Sequence, residues 1–398
     1  MELGDRVRAA LIRAGVSGED RMLVACSYGP DSLALADCMA DIRPVTLCYV
    51  DHGLRPEAAL EAEAVRAFAR RRGLAAEVLR APVDRRDGRG LEDAARRARY
   101  RALEAAGARH DWIALGHTAS DQAETVLLRL LRGAGATGLA GMPFRRGKII
   151  RPLLDATRAD VLAYLAARGL TPLHDASNDD RTLLRNRVRH ELLPAMRALN
   201  PRADAALVRA AAALREVAEA VDAAAEEASA RAIVERGDGW ARLDAPALAA
   251  LPAAVGKRLV QRIAAELGSS LEARHLDALW ALARRAPAGT VPLDLPLAAA
   301  REYGVLVLGT PPPPPAAQVR IQGEGQYTWR RARPGDRLGG RKLQDLYTDL
   351  KVPRRLRGDA VVVVNENQEI VWAEHVGASP ASNVVVTLTR KDPARISK

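Results

Sequence analysis

The sequence is poor in aromatic residues and in cysteine, and it lacks long hydrophobic runs. Aromatic side chains make up only 4% of the 398 residues, so the hydrophobic cores must be built mainly from alanine, leucine and valine. The cysteines, Cys26, Cys38 and Cys48, form no C-x-x-C pair, which argues against a zinc site and predicts buried free thiols. No run of 18 apolar residues and no signal sequence is present, so we predict a soluble, cytoplasmic protein without a membrane partner.

Lysine is also scarce, supplying six of the 60 basic residues, and the first of them is Lys148. A phosphate loop of the Walker type carries a lysine after its glycines, so no such loop can lie before Lys148. Arginine supplies the other basic residues, and the net charge is +11 at pH 7. Guanidinium groups pair with phosphates and stack on bases, so this balance is compatible with a nucleic-acid partner, although a basic surplus also keeps proteins soluble.

Short apolar segments alternate with helical segments over the first 150 residues or so, which predicts a mostly parallel sheet covered by helices on both faces. The predicted strands cover residues 22–26, 45–50, 75–79 and 112–116, and the predicted helices cover 33–40, 57–72, 91–107 and 119–132.

From about residue 155 the pattern is helical, with a long helix over 202–232 and two or three helices within 244–285. Five consecutive prolines, at 311–315, predict a stiff extended spacer, because proline cannot join a helix or a central strand. The tail is richer in β-branched residues. We therefore predict an α/β fold: a parallel-sheet nucleotide-binding domain, then an all-α domain, then a small α+β domain. The predicted boundaries are 1–200, 201–310, 311–315 for the linker and 316–398.

The first predicted strand ends in the hexapeptide Ser27, Tyr28, Gly29, Pro30, Asp31, Ser32. A glycine-containing loop that opens a helix can bind an anion, because backbone N–H groups and the helix dipole both favour negative charge. Gly29 can take a positive φ and lets the backbone approach a phosphate, and we expect Asp31 to hold Mg²⁺. The alternative is an ordinary turn in which Asp31 or Ser32 caps the helix.

Two further polar clusters follow predicted strands and should lie at the same sheet edge as this loop, because ligands bind beyond the carboxyl ends of parallel strands. The first contains Asp51 and His52, and a capped turn is its alternative. The second contains Asp121 and Glu124, which share one helix face at a spacing of i and i+3 and could bind a cation or act as a base. Compensation of the helix dipole is its alternative. The glycine-rich run 133–141 is predicted to form a flexible loop nearby.

Together these motifs resemble the PP-loop (N-type) ATP pyrophosphatases and, among them, the bacterial tRNA(Ile)-lysidine synthetases. The resemblance spans nearly the whole chain and rests on the order and spacing of moderately specific blocks. These blocks are SYGPDS, YVDHGLR, EDAARRARYRAL, GHTASDQAETVLLRLLRGAGATGLAGM, IIRPLL, DASNDDRTLLRNRVRHELLP, RARPGDRL and KLQDLYTDLKVPRRLR. Two departures bear on the site: Tyr28 stands where the family loop usually has its first glycine, and Ser120 stands where it usually has aspartate. If the family's glycine has a positive φ at this position, Tyr28 would be strained there.

The resemblance implies a PP-loop nucleotide-binding domain and a two-step reaction on the CAU anticodon of tRNA(Ile). ATP adenylates the C2 oxygen of the wobble cytidine and releases pyrophosphate. The side-chain amine of free L-lysine then attacks C2 and AMP leaves, giving lysidine and changing the codon read from AUG to AUA. The cofactors implied are ATP and Mg²⁺. The oligomeric state is left open, with a homodimer as one alternative.

Roles follow from the matching motif positions. ATP is expected on residues 27–32 together with His52 and Gly116, and Mg²⁺ on Asp31 and Asp51, which makes both catalytic. Lysine is expected on Asp121 and Glu124, with Asp121 as the proton acceptor. The residues expected to face tRNA are Arg96, Arg99, Arg185 and Arg189, while Asn178 and Asn186 are structural or tRNA-facing. For Arg96 and Arg99, solvated positions on a helix are the alternative.

Three other functions are compatible with such a loop. A PP-loop tRNA sulfur-transfer enzyme would need reactive cysteines or an iron–sulfur ligand set, whereas the three cysteines here lie within strand and helix patterns. A small-molecule amide synthetase of the argininosuccinate- or GMP-forming type would lack the basic tail and the RNRVRH block. A non-enzymatic RNA-binding protein with a degenerate loop is suggested only by Tyr28.

Overall fold

The computed structural model describes residues 2–53, 58–83, 91–173, 180–285 and 297–390, with only the backbone described over 91–93. The chain divides into two compact units, Met1–Ala218 and Glu219–Lys398. Within the described ranges, no helix is both long enough and apolar enough to cross a membrane. The boundaries predicted at residues 200, 310 and 315 stay predictions.

The first unit is built on a six-stranded sheet with the spatial order β3-β2-β1-β4-β6-β5. All neighbouring strands are parallel except β5, which runs antiparallel to β6, so the predicted parallel sheet is confirmed. In chain order its elements are α1 (Leu3–Ala14), β1 (Met22–Ala25), α2 (Pro30–Ile42), β2 (Thr46–Asp51), α3 (Ala58–Arg72), β3 (Ala75–Arg80), α4 (Leu91–Ala106), β4 (Trp112–Leu115), α5 (Ala119–Leu131), α6 (Ala136–Leu139), β5 (Arg145–Arg146), β6 (Ile149–Ile150), α7 (Arg158–Ala167), α8 (Leu184–Arg187), α9 (Leu193–Leu199) and α10 (Ala203–Ala232). A 3₁₀ turn, Gly107–Arg109, follows α4, and a π turn, Val188–Leu192, joins α8 to α9.

The side chains of the sheet alternate between two cores, one on each face, as the period of two in a strand requires. Val24 and Leu47 pack with Phe68 of α3 in one core, whereas Leu23 and Ile113 lie in the other core. Helices therefore cover both faces. This explains why the central strands read as continuous apolar runs in the sequence.

The three cysteines are free and buried, as predicted. Cys26 and Cys38 lie in one core and Cys48 lies in the other. Burial raises the pKa of Cys26 and of Cys38 to about 11 and that of Cys48 to about 12, because a thiolate is disfavoured away from water. All three thiols are therefore protonated at neutral pH.

Helix α2 is tied to its neighbours by a buried carboxylate. Asp37 Oδ2 accepts hydrogen bonds from Tyr164 Oη and from Arg168 Nε, both at 2.8 Å, and both donors lie on α7 or at its end. Arg72 of α3 lies 3.5 Å from the other carboxylate oxygen. A buried charge is tolerated only when it is paired and hydrogen-bonded. This network therefore fixes α2, whose first turn borders the loop at residues 27–32, called here the nucleotide loop.

The second unit continues from α10 with β7 (Ile233–Gly237), β8 (Trp240–Asp244), α11 (Ala245–Ala250), α12 (Ala253–Glu266), α13 (Ala273–Arg284), β9 (Ala299–Glu302) and β10 (Val305–Gly309). The middle region is helical as predicted, but it is not all-α, because its four strands form an antiparallel sheet in the order β7-β8-β10-β9. The missed signal was Asp238-Gly239, a typical hairpin turn pair, in which Gly239 has φ 75°. Strand β10 completes the sheet from about 60 residues further along the chain, beyond the reach of local patterns.

The remaining chain forms a small β-rich module after the prolines, which carry no helix or strand at 311–315. Its elements are β11 (Ala317–Gln322), β12 (Thr328–Arg331), β13 (Arg337–Leu338), β14 (Arg341–Lys342), α14 (Leu343–Asp349), α15 (Arg354–Arg357), β15 (Val361–Val364), β16 (Ile370–Ala373), β17 (Gly377–Ala378) and β18 (Val385–Arg390). Strands β11 and β18 pair with each other, and the other strands form a second sheet. The core of that second sheet contains Tyr347, Val362 and Ile370.

Candidate functional site

The nucleotide loop joins β1 to α2 and is closed by its own serines. Ser32 Oγ accepts a hydrogen bond from the Ser27 backbone N–H and donates one to the Gly29 carbonyl, both at 3.1 Å. Gly29 is the residue before α2, with Pro30 at the first helical position, and no side chain caps the helix. The alternative of a turn capped by Asp31 or Ser32 is therefore wrong. The N–H groups at the start of α2 remain suited to an anion.

The positive φ of the loop lies at Tyr28 and not at Gly29. Gly29 is extended, with φ −70°, and Tyr28 has φ 60°. The chain therefore reverses at the position that the family loop usually fills with its first glycine. A side chain at this φ is rare, so the surrounding structure must hold Tyr28 in place.

Asp31 lies in the first turn of α2 with one oxygen paired and the other not. Its Oδ2 accepts a hydrogen bond from Arg158 Nη1 at 3.1 Å, while Oδ1 is buried without a hydrogen-bond partner among the described residues. Burial raises the pKa of Asp31 to about 6, and the negative charge of Asp121 adds to this rise. An unpartnered carboxylate oxygen of this kind suits a cation.

Gly116, at the end of β4, lies against the backbone of the same turn. A Cβ atom at this position would lie 2.9 Å from the Asp31 carbonyl oxygen and 3.0 Å from Ser32 Cα. Only glycine permits so close an approach. The structure thereby brings the β4–α5 connection directly beside the nucleotide loop.

Asp121 and Glu124 lie in the first two turns of α5, on one face and buried. Asp121 Oδ2 accepts a hydrogen bond from the Thr118 backbone N–H at 2.9 Å, and Thr118 Oγ1 accepts one from the Asp121 backbone N–H at 3.4 Å, forming a capping box. Burial disfavours the ionised carboxyl, but the charges of Arg185 and Arg189 and the hydrogen bond from the Thr118 N–H together outweigh it, so the pKa of Asp121 lies below its usual range. Asp121 is therefore an anion at neutral pH.

Arg185 and Arg189, predicted to face tRNA, are paired with these carboxylates. Arg189 Nε donates to Glu124 Oε1 at 2.5 Å and Arg189 Nη2 donates to Glu124 Oε2 at 3.1 Å. Arg185 Nε donates to Glu124 Oε2 at 3.2 Å, and both guanidinium groups lie 3.4 Å from Asp121 Oδ1. Two positive and two negative groups thus balance in charge. Arg189 comes from the π turn, a distortion that is often found at functional sites.

A second group of arginines surrounds His117. Arg96 and Arg99 of α4 lie over the Tyr100 ring at 5.3 and 5.9 Å, and Arg151 Nη2 donates to Tyr100 Oη at 3.3 Å. Burial, together with the charges of these three arginines, lowers the pKa of His117 to about 3, although Asp121 opposes the shift. His117 is therefore neutral, and its Nδ1 is buried with no hydrogen-bond partner in the part of the chain that the structure describes. This position is one at which an anionic ligand would relieve positive charge.

The other predicted site residues lie at the same sheet edge or outside the described residues. Asp51 ends β2, the neighbour of β1, and its Oδ1 accepts a hydrogen bond from the Gly53 N–H at 2.8 Å, as in a simple turn. His52 follows it. Asn186 Nδ2 donates to the Asp180 carbonyl at 2.8 Å, which is a structural contact. Asn178, and the part of the YVDHGLR block after Gly53, lie outside the described residues.

The glycine-rich run 133–141 is held in place, contrary to the prediction of a flexible loop. It contains the helix α6, and Arg129 Nη1 donates to the carbonyls of Gly138 at 2.6 Å and Gly141 at 3.0 Å. The Gln122 amide exchanges two hydrogen bonds with the Met142 backbone. The run was predicted to be flexible from its glycines alone, whereas side chains of α5 satisfy its backbone.

Ser120 is not a third acid of the site. Its Oγ donates to Asp204 Oδ2 at 3.2 Å, and Asp204 also accepts two hydrogen bonds from Arg197. Ser120 therefore connects α5 to α10. Sequence reasoning also missed His117, Arg151 and Arg158. The available signal was that His117 follows Gly116 at the predicted strand end, that Arg151 lies within the IIRPLL block and that Arg158 follows the block by four residues.

Two sequence families match the chain. The family described as "PP-loop domain" matches residues 5–196, and the family described as "TilS substrate C-terminal domain" matches residues 322–384. The first covers the parallel sheet with the site just described, and the second covers most of the β-rich module.

Several curated proteins are similar over most of their length, and each is named "tRNA(Ile)-lysidine synthase". The protein from Thermobifida fusca is 43% identical over 69% of this chain and 87% of its own, and the one from Salinispora tropica is 45% identical over 69% and 86%. The protein from Symbiobacterium thermophilum is 35% identical over 98% of both chains. Among solved structures, a U34-tRNA thiolase from Methanococcus maripaludis overlaps 54% of this chain and 78% of its own with a TM-score of 0.48 at 18% identity, an overlap too weak to bear on function.

Proposed function

The chain belongs to the tRNA(Ile)-lysidine synthase family, and from this premise we propose that it joins L-lysine to C2 of the wobble cytidine in the CAU anticodon of tRNA(Ile). The product, lysidine, changes the codon read from AUG to AUA. The observation that carries the proposal is the position of a buried carboxylate pair beside a nucleotide loop. Gly116 touches that loop, and the charge of Asp121 acts on Asp31.

In the first step the C2 oxygen of the cytidine attacks the α-phosphorus of ATP. An O–P bond forms, and the bond to the β-phosphate breaks, releasing pyrophosphate. Residues 27–32 would hold the phosphates through backbone N–H groups, because no lysine is present in this part of the chain. His52 and Gly116, at the ends of the neighbouring strands, would border the nucleotide.

Mg²⁺ fits this edge of the sheet. The buried, unpartnered Oδ1 of Asp31 offers an oxygen ligand, and Asp51 lies at the end of the next strand. Within the described part of the chain, no three acidic, histidine or cysteine side chains converge to hold a metal, so the remaining ligands of a bound Mg²⁺ would have to be phosphates and water. Bound there, Mg²⁺ would stabilise negative charge on the departing pyrophosphate.

In the second step the lysine amine attacks C2, a C–N bond forms, and the C2–O bond breaks with AMP as the leaving group. Asp121 and Glu124 would hold the lysine ammonium, which must release one proton to water to expose its lone pair before the attack. The nitrogen becomes more acidic as it bonds to C2, so Asp121 can then accept its proton despite a low pKa. The incoming ammonium must compete for these carboxylates with Arg185 and Arg189.

The positive charge around the site suits an anionic macromolecule. Arg96 and Arg99 would face tRNA or ATP phosphates, with Arg185 and Arg189 exchanging their carboxylate partners for RNA. Sulfur transfer to tRNA is less well supported, since it needs a reactive thiol and all three cysteines are buried with raised pKa values.

One assay tests the proposal. The protein is mixed with ATP, Mg²⁺, labelled L-lysine and a tRNA(Ile) transcript carrying CAU. We expect ATP-dependent transfer of label into the tRNA, together with equimolar AMP and pyrophosphate. A matched transcript of the methionine tRNA, which also carries CAU, should accept much less label. Absence of label in tRNA(Ile), alongside an active control synthase, would refute the proposed function.

A further inference from the structure

Tyr28 occupies a backbone conformation that normally calls for glycine. Its φ is 60°, and in the described ranges only four other non-glycine residues have a positive φ. The position lies between Ser27 and Gly29, directly before α2, so this dihedral angle sets the path of the nucleotide loop. A side chain is unfavourable here, and other contacts must compensate.

The side chain of Tyr28 is fixed from outside the loop. It is buried at 8% exposure, and its ring meets Phe68 edge to face, with centroids 6.3 Å apart. Arg71 Nη2 donates a hydrogen bond to the Tyr28 hydroxyl at 3.3 Å. Phe68 and Arg71 both belong to α3, which packs on the sheet beside β2 and β3. The ring therefore lies within the core and is not a stacking surface for a base.

The backbone of Tyr28 is fixed as well. Its carbonyl accepts a hydrogen bond from the Leu173 N–H at 3.0 Å. The residue is thus held at its ring, its hydroxyl and its carbonyl. A glycine at the same position would have only the last of these contacts and would sample many more conformations.

We propose that Tyr28 is a positioning residue. Its side chain, anchored on α3, holds the nucleotide loop in the conformation that receives ATP phosphates, so that ligand binding does not have to order the loop. Preorganisation of this kind raises affinity by removing an entropic cost from binding. The inference rests on the proposed use of ATP, and it assigns to Tyr28 an effect on nucleotide binding that is separate from lysine binding.

The test compares two single variants of the anchor. Tyr28→Phe removes only the hydroxyl, whereas Arg71→Met removes its donor together with the contact of the Arg71 guanidinium with the Phe68 ring. We expect each to raise the Kd of a non-hydrolysable ATP analogue by roughly two- to tenfold, the effect of one hydrogen bond. The double variant should bind about as weakly as either single variant, because both changes remove the same contact. If the losses of affinity in the two single variants added up in the double variant, the hydrogen bond between Arg71 and the Tyr28 hydroxyl would not be the anchor of the loop.

The glycine variant tests positioning itself. Tyr28→Gly relieves the unfavourable φ but removes all side-chain contacts, and we expect a Kd for the analogue roughly tenfold higher or more. The KM for ATP should rise while the KM for lysine stays unchanged, a split that general destabilisation would not produce. If Tyr28→Gly binds the analogue as tightly as the parent, the proposal is wrong. If Tyr28→Gly does not fold, the Phe and Met variants decide.

The chain offers a matched control in Tyr303. It has φ 55°, and its hydroxyl accepts a hydrogen bond from Arg357 Nη2 at 2.7 Å, but it lies in the second unit. Tyr303→Gly should leave the Kd of the analogue unchanged, and a comparable loss there would overturn the proposal. A parent protein that binds ATP without forming lysidine would contradict the proposed function alone. A parent protein that binds no ATP would contradict both.

Discussion

Asp31 carries a charge that the folded protein disfavours. Its carboxyl is protonated below about pH 4 in the folded and the unfolded chain, and ionised above about pH 6 in both. Between these values stability falls as the pH rises, because the pKa is raised from 3.8 to about 6, and the full penalty remains above about pH 6. Without ligand, this aspartate therefore costs stability at neutral pH.

Replacing Asp31 with asparagine should separate stability from function. We expect Asp31→Asn to raise the free energy of unfolding at pH 7.5 by roughly 1–3 kcal/mol, with the gain disappearing near pH 4. Activity should fall roughly 100-fold, because the proposed ligand for Mg²⁺ is lost. Urea unfolding at both pH values and the lysine-transfer assay measure these effects. Equal stability at pH 7.5 would show that Asp31 is not held at an energetic cost.

Asp121 can be tested against a residue with the same local structure. Asp121→Asn should keep ATP binding but lower lysine transfer roughly 100-fold, because the charge that holds the ammonium is removed. Asp160 forms the same capping box with Thr157 at the start of α7, so Asp160→Asn controls for the helix cap. An unchanged transfer rate in Asp121→Asn would remove its proposed role.

At single positions the sequence identified which residues belong to the site, but not their backbone conformation or protonation. Asp31, Asp121 and Glu124 could be selected because acidic residues follow predicted strands. The positive φ of Tyr28 and the neutral state of His117 could not be predicted, since both depend on residues distant in the chain, such as Phe68 or Arg151. Likewise, the pairing of Glu124 with two arginines about 60 residues away requires the fold.

At the scale of elements, the β4–α5 connection lies very close to the start of α2, and the close approach occurs at Gly116. Gly116→Ala would place a methyl group against the backbone of Asp31 and Ser32, which cannot rotate away. We expect a loss of about 1–3 kcal/mol in unfolding free energy and weaker ATP binding, because the nucleotide loop must shift.

The matched variant is Gly18→Ala, where an added Cβ meets no atom within 4 Å. It should change neither unfolding free energy nor ATP affinity by a measurable amount. Thermal unfolding with and without ATP compares the two variants. If Gly116→Ala were as stable as Gly18→Ala and bound ATP equally well, the close approach of Gly116 to the nucleotide loop would not matter for stability or ATP binding.

The strands and helices of the first unit were predictable because each βα repeat carries its own signal of an apolar run followed by a helix with charged residues. The sheet of the middle region was not. Its β7–β8 hairpin is marked locally by Asp238-Gly239, but β10 pairs with β8 across helices α11, α12 and α13. A strand of four or five residues has too little pattern of its own to outweigh the helical composition around it.

For the whole molecule, the net charge of +11 predicts how binding responds to salt. Each tRNA phosphate neutralised by arginine releases counterions, so with about six such contacts tRNA affinity should fall roughly 1,000-fold between 50 and 200 mM salt. Lysine binding should change far less. Filter-binding titrations across this range test the point, and a tRNA affinity that did not vary with salt would argue against phosphate contacts.

The buried thiols have a practical consequence. Because all three thiols are protonated and enclosed in the cores of the first unit, a maleimide should react with them only when the sheet opens. The native cysteines should therefore give no background signal when the folded protein is labelled with a maleimide. Labelling should be fast in denaturant, slow in buffer and slower still with ATP, as measured by mass spectrometry over time. Rapid labelling in buffer would mean that the sheet opens readily. The labelling rate of the three native cysteines would therefore report how often the sheet opens. A single cysteine added at the surface could carry a fluorophore.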